Sequence, residues 1–112
     1  MTERRILIVD DDESLRRVTQ VQLTQAGYQV VTAASGEDAS ALLARTPVDM
    51  VITDLQMPGK SGLDLLREIQ AEYPEIPVLM TTAVSTVPKA VIIRTGISGY
   101  SARWRPPWRD RK

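Results

Sequence analysis

Residues 50–62 read "MVITDLQMPGKSG", in which the run from Met50 to Thr53 leads straight into Asp54 and a Pro58-Gly59 bend follows. A short run without a polar face suits a strand covered on both sides, as the strands of a parallel sheet are. An acid that ends such a strand stands at the C-terminal edge of the sheet, where open α/β folds bind their ligands. Taken alone, Asp54 could equally be a turn former ahead of the bend. The decision rests on whether other strands bring matching chemistry to the same edge.

Working outward, Ile6-Leu7-Ile8-Val9 ends in Asp10, Asp11, Asp12 and Glu13. Val78-Leu79-Met80-Thr81 follows Pro77 and runs into Thr82 and Ala83, and Gln29 to Thr32 is a weaker run with two valines. Amphipathic stretches lie between them. Ser14 or Glu13 opens a first helix that Gly27 closes. Ser35, with Asp38 three residues on, offers an N-cap ahead of the stripe Ala39, Leu42 and Leu43. Leu63, Leu66, Ile69 and Tyr73 mark one face of a third helix that Pro74 stops, and a fourth is expected from about Thr86, with Pro88 in its first turn. The order β-α-β-α-β-α-β-α predicts an α/β domain, a doubly wound parallel sheet with helices on both sides.

Three strand ends therefore supply an acid pair, Asp10 and Asp11, a single acid, Asp54, and a hydroxyl, Thr82. Clustered carboxylates repel one another, and a hard divalent cation relieves that repulsion; Mg2+ takes one or two carboxylates together with waters and phosphate oxygens. A carboxylate can also act as nucleophile in phosphoryl transfer, forming an aspartyl phosphate. Each element alone has a plainer explanation: acids at Asp10 to Glu13 suit a helix N-terminus, and Thr82 suits a strand end. Coincidence at three separate strand ends is the weaker account.

The chain of 112 residues fits one domain, and its 14 basic and 14 acidic residues balance. The balance averages two unlike parts. Residues 1–91 hold eight bases against thirteen acids, a net charge of −5, whereas residues 92–112 hold six bases against Asp110 alone, a net +5. With no Cys and no His, the chain by itself can form no disulfide, zinc-thiolate site, Cys nucleophile or Ser-His-Asp triad. No apolar run reaches 18 residues and no signal-peptide core follows Met1, so a cytoplasmic location without a membrane span is expected.

The stretches "ILIVDDDESLRR", "VDMVITDLQMPGKSGLDLLREI" and "IPVLMTTA", within about residues 4–91, resemble the receiver domains of two-component response regulators, most nearly those of enhancer-binding transcriptional activators. The resemblance implies a flavodoxin-like strand order 2-1-3-4-5 and a signalling module rather than an enzyme. By position it implies that Asp54 accepts a phosphoryl group from a sensor histidine kinase. It further implies that Asp11, Asp54 and the Gln56 backbone carbonyl hold Mg2+, with Asp10 acting through a water and Ala83 lying beside the phosphoryl group. Thr82 would move onto the phosphoryl oxygen as the switch. The missing His fits, since the donor imidazole belongs to the partner.

The resemblance fails after residue 91. A receiver continues through a short strand, a Lys-Pro pair and a fifth helix, whereas this chain reads "IIRTGISGYSARWRPPWRDRK". Aligning "GYSAR" with the strand puts Tyr100 at the switch aromatic and Arg103 in place of the Lys; ungapped counting puts Trp104 there instead. Arg is bulkier and planar, so a poorer phosphoryl contact or readout is expected. Pro106-Pro107 interrupts any regular fifth helix. Without that helix, apolar side chains of the first and fifth strands are expected to be exposed, with homodimer formation as one remedy.

The reading is thus a receiver over 1–103, its last strand and helix atypical or missing, and a basic Trp/Pro/Arg tail over 104–112, with no nucleic-acid binding by the domain itself. The tail suits an anionic surface or reflects a frame change or truncation. Two alternatives remain: a receiver-like interaction module with impaired phosphorylation, and a haloacid dehalogenase-like phosphatase, whose acid pair Asp10-x-Asp12-x-Ser14 imitates.

Overall fold

The computed structural model describes residues 4–82, 89–94 and 97–100, with Thr82 and the last two stretches described through their backbone. Strands β1 (Arg5–Val9), β2 (Gln29–Ala33), β3 (Met50–Asp54) and β4 (Val78–Thr82) lie in the order β2-β1-β3-β4, all parallel. Helices α1 (Glu13–Gln25), α2 (Gly36–Leu43) and α3 (Gly62–Glu72) connect them. None of the described helices is long and apolar enough to cross a membrane.

Strand pleating sorts the apolar runs onto two faces. Leu7, Val9, Val51, Val78 and Met80 pack on one face with Ala39 and Leu43 of α2 and Leu65, Leu66 and Ile69 of α3. Ile6, Ile8, Met50, Ile52 and Leu79 form the other, against Leu23, Tyr28 and Val30. Each strand therefore needs apolar residues at successive positions, and each fully buried side chain contributes about 1.5–3 kcal/mol relative to exposure. The buried stripe of α3 differs from the expected one: Leu65 is buried and Leu63 is 40% exposed, because the helix turns its Leu65-Leu66-Ile69 side to the sheet.

Helix starts follow local chemistry. Asp12 caps α1 by accepting from the Leu15 N–H, one residue before the expected start, and Ser35 caps α2 through the Asp38 N–H. Gly27, at φ 100°, ends α1 as expected. Ser61 and Asp64 form a reciprocal capping box at α3.

The second half of the sheet departs from expectation. Residues 89–94, placed in a fourth helix by the sequence pattern, form strand β5 (Lys89–Arg94), antiparallel to β4, and β6 (Ile97–Tyr100) pairs antiparallel with β5. The β-branched run Val91-Ile92-Ile93 favours a strand. Only six residues separate β4 from β5, fewer than the dozen or more that a parallel crossover needs. The fifth strand thus lies beside the fourth, but reversed, and a sixth is added. Tail residues 104–112 lie outside the described residues.

On β1 exposure differs from expectation, while the side chains of β5 lie outside the described ones. Ile6 and Ile8 on β1 are buried, covered on their face by residues of α1 and the segment after it. Among the described residues, the exposed large apolar side chains are Leu15, Val18 and Val21 of α1, each about half exposed, and Leu63 of α3. No residue of α1 is buried.

Candidate functional site

Because β1 connects to β2 on one side and is flanked by β3 on the other, the C-terminal ends of β1 and β3 border the crevice where the strand order turns. Asp10 and Asp11 leave β1 there, and Asp54 ends β3. The three carboxylates converge, with one oxygen from each lying within 4.8 Å of the others.

Backbone hydrogen bonds position Asp10. The Asp10 N–H donates to the Ala33 carbonyl at 3.2 Å, and its Oδ1 accepts from the Asp12 N–H at 2.9 Å. Burial raises the Asp10 carboxyl above the usual range; the Asp12 N–H opposes this, while the charges of Asp54, Asp11 and Asp12 reinforce it. Among the described residues no Lys or Arg pairs with any of the three acids.

Asp54 sits in a tightly built turn. Its Oδ1 lies 3.4 Å from the Gln56 N–H, and its carbonyl accepts from the hydroxyl of fully buried Thr53 at 3.1 Å. The Leu55 N–H donates to the Thr81 carbonyl, and the buried Met57 side chain anchors the loop in the core. Gly62 opens α3 directly over the Asp54 carbonyl: a Cβ there would lie 2.0 Å from that oxygen, so only glycine permits the approach. The sequence reading missed this residue, and the only available signal was a second glycine shortly after the bend.

The far end of the loop is tied to the helices. Lys60 Nζ donates to Ser40 Oγ at 2.8 Å and to Glu68, while the Ser40 hydroxyl donates to Glu68 at 2.8 Å. The Lys60 N–H donates to Glu37 at 3.1 Å. Burial raises the Glu68 carboxyl, but hydrogen bonds from Lys60 and Ser40 together with the Lys60 charge outweigh it and hold the group below its usual range. The hydrogen bond to Glu68 holds Lys60 above its own usual range. Composition and spacing gave no sign of this network.

Of the expected site residues, the structure brings Asp10, Asp11 and Asp54 together and places Gln56 in the turn beside Asp54. Asp12, the third acid after β1, spends its carboxylate on the α1 cap. Thr82 ends β4, one residue beyond Thr81, the register partner of Asp54. Tyr100 ends β6 and pairs with Val91, which pairs with Met80, so it lies on the outermost strand. Ala83 and Arg103 lie outside the described residues. The register also sets Lys89 opposite Thr82, a placement that follows from the unexpected strand.

The donor set suits a hard cation. Three carboxylates supply oxygen ligands only, and the ligand atoms of an octahedral Mg2+ lie about 3–4 Å apart, close to the spacing of oxygens that lie within 4.8 Å of one another. Burial first, and the neighbouring charges of Asp54, Asp11 and Asp12 after it, raise the Asp10 carboxyl, and a cation there would favour its ionised form.

A family model of the response regulator receiver domain matches residues 6–100. The chain belongs to this family. The receiver is 44% identical over 86 residues to the transcriptional regulatory protein GlrR of Escherichia coli, covering 77% of this chain and 19% of GlrR. It is 39% identical over 97 residues to the response regulator protein FleR of Pseudomonas aeruginosa, covering 86% of this chain and 20% of FleR. The receiver thus spans about a fifth of the length of these relatives. Among solved structures it is similar to the response regulator TrrA of Thermotoga maritima in complex with Mg2+ and BeF, with TM-score 0.71 and 36% identity, covering 73% of this chain and 71% of that one. A further similar structure holds the histidine kinase ThkA in complex with TrrA, with TM-score 0.69 and 36% identity over 73% of this chain and 71% of that one. As a receiver the chain is a signalling module of two-component systems, with the expected strand order in its parallel half.

Proposed function

We propose that this receiver takes a phosphoryl group onto Asp54 from a phosphohistidine of a sensor histidine kinase and thereby controls an output. The convergence of Asp10, Asp11 and Asp54 at the crevice carries the reading. In the transfer an Asp54 carboxylate oxygen forms the new P–O bond as the P–N bond to the donor imidazole breaks, and the imidazole stays with the partner. Asp11, Asp54 and the Gln56 carbonyl would hold Mg2+, with Asp10 acting through a water. The ion supplies charge neutralisation for the oxygens of the transferring group.

The chain's own residues supply placement. The Gln56 N–H and the Gly62 approach fix the main chain around Asp54. Thr82 and Tyr100 are proposed as the switch pair, with Ala83 and Arg103 as phosphoryl contacts, in a receiver of residues 1–103 followed by the 104–112 tail. Exposed Leu15, Val18 and Val21 on α1 offer an apolar surface suited to contact with the kinase. Control of transcription is proposed from the name of the GlrR relative, and a cytoplasmic location from membership of the response regulator receiver family. The phosphatase alternative needs Asp12 and Ser14 at the reacting centre, yet Asp12 is committed to the helix cap and Ser14 is exposed.

The test is beryllofluoride with Mg2+, followed by fluorine NMR. A bound signal is expected for the wild type and none for Asp54→Asn. No bound signal in the wild type would contradict the proposal and favour an interaction module with lapsed chemistry.

A further inference from the structure

Asp10 and Asp11 share one peptide group, so whatever holds the Asp10 carbonyl sets the direction in which both acids leave β1. Arg16, one turn into α1 and half-buried, donates from Nη1 to that carbonyl oxygen at 2.7 Å. The other holds on Asp10 come from main-chain groups, its own N–H to Ala33 and the Asp12 N–H to its carboxylate. Arg16 is therefore the one side chain among the described contacts that fixes this peptide.

We propose that Arg16 is a positioning residue for the divalent cation, holding the Asp10–Asp11 peptide so that both carboxylates converge on Asp54. The inference rests on the phosphoacceptor reading above. Arg16 acts through the main chain: its hydrogen bond goes to the Asp10 carbonyl, and among the described residues it forms no ion pair with Asp10, Asp11 or Asp54. A fixed guanidinium suits this task because its planar fork loses less freedom per hydrogen bond than a flexible ammonium.

The two roles predict opposite signs. A cation near three carboxylates repels Mg2+, so removing a mere counter-charge would tighten Mg2+ binding, whereas removing a positioning group weakens it. Calorimetric titration of Mg2+ alone into the chain reads this directly, with unfolding followed by circular dichroism on the same samples. Arg16→Gln is expected to weaken Mg2+ binding by about tenfold, the scale of losses when a group supporting metal ligands is removed. Arg16→Lys keeps the charge and most of the stem, and is expected to weaken binding by about two- to threefold.

Unchanged or tighter binding in a folded Arg16→Gln overturns the proposal. Should that variant fail to fold, Arg16→Lys carries the test, and wild-type affinity there overturns it equally. Asp54→Asn separates the two levels. Wild-type binding that this substitution leaves intact removes the site itself and the Arg16 role with it; site binding that survives Arg16 substitution removes the Arg16 role alone.

Discussion

The parallel half of the sheet, β1 to β4, and its antiparallel half, β5 and β6, handle chain direction in opposite ways. In the first, every strand points the same way, and each helical crossover returns the chain to the far edge, so Asp10, Asp11, Asp54 and Thr82 all reach one edge. In the second, the chain reverses at once and delivers the start of a strand, Lys89, to that edge. Convergent chemistry at one edge follows from crossovers, and a strand added by reversal contributes only by the accident of its register. The comparison can be broken wherever damage to the parallel half spares the site or damage to the antiparallel pair destroys it.

The largest effect is expected at Gly62. Any Cβ there meets the Asp54 carbonyl, so Gly62→Val must displace α3 or the Asp54 turn, at a cost of about 3 kcal/mol. Urea unfolding checks the stability, and loss of Mg2+ binding checks the turn. A variant as stable as wild type would show that the turn is not held as described.

Next comes Lys60→Met, which leaves Glu68 and Ser40 without their cation and is expected to cost about 1–2 kcal/mol. The pH dependence has a definite sign. Glu68 is held below its usual range, so its contribution is present above that range and is lost as pH falls through the folded value. Lys60 is held above its usual range, so its share is present below that range and is lost as pH rises through the folded value. The difference between wild type and Lys60→Met, measured by urea unfolding, is therefore expected to shrink at both extremes.

Asp10 slopes the other way. Its carboxyl is raised, chiefly by burial, so the folded metal-free protein binds that proton more tightly than the unfolded chain and loses stability as pH rises past the ordinary Asp range. Asp10→Asn is expected to raise the metal-free unfolding midpoint at neutral pH by about 1–2 °C, and to reduce the gain that Mg2+ confers. A lowered midpoint without metal would contradict the repulsion inferred for the cluster.

The smallest effect is expected from the antiparallel pair. Ile92→Pro removes a ladder donor in the middle of β5, between Leu79 and Gly99. Hydrogen exchange over 89–100 should speed up, while Mg2+ binding changes by less than about twofold, within the additivity expected of separate sites. A large loss of Mg2+ binding would mean that the second half takes part in the site after all.

Legibility followed the same division. Buried parallel strands need apolar residues at every position, so β1, β3 and β4 stand out as short unbroken runs whose terminal acids and hydroxyl mark the edge. Ser35 and Gly27 announced helix ends because capping is local. Lys60, Glu68 and Ser40 stayed hidden because their meeting depends on how α2 packs beside α3, and Arg16 because its partner is a main-chain carbonyl. The reversal at β5 is hard to read because Pro88 suits a helix start as well as a strand approach, so the β-branched Val91-Ile92-Ile93 run alone points to the strand.

The central claim is that Asp54 is the phosphoacceptor at a site assembled by the parallel half. Intact mass after incubation with acetyl phosphate and Mg2+ tests it most directly, on wild type and Asp54→Asn side by side. The account predicts one added phosphoryl group on the wild type, lost when Mg2+ is removed, and none on Asp54→Asn. Equal labelling of the two proteins, or labelling abolished by Asp10→Asn with Asp54→Asn unaffected, would contradict it.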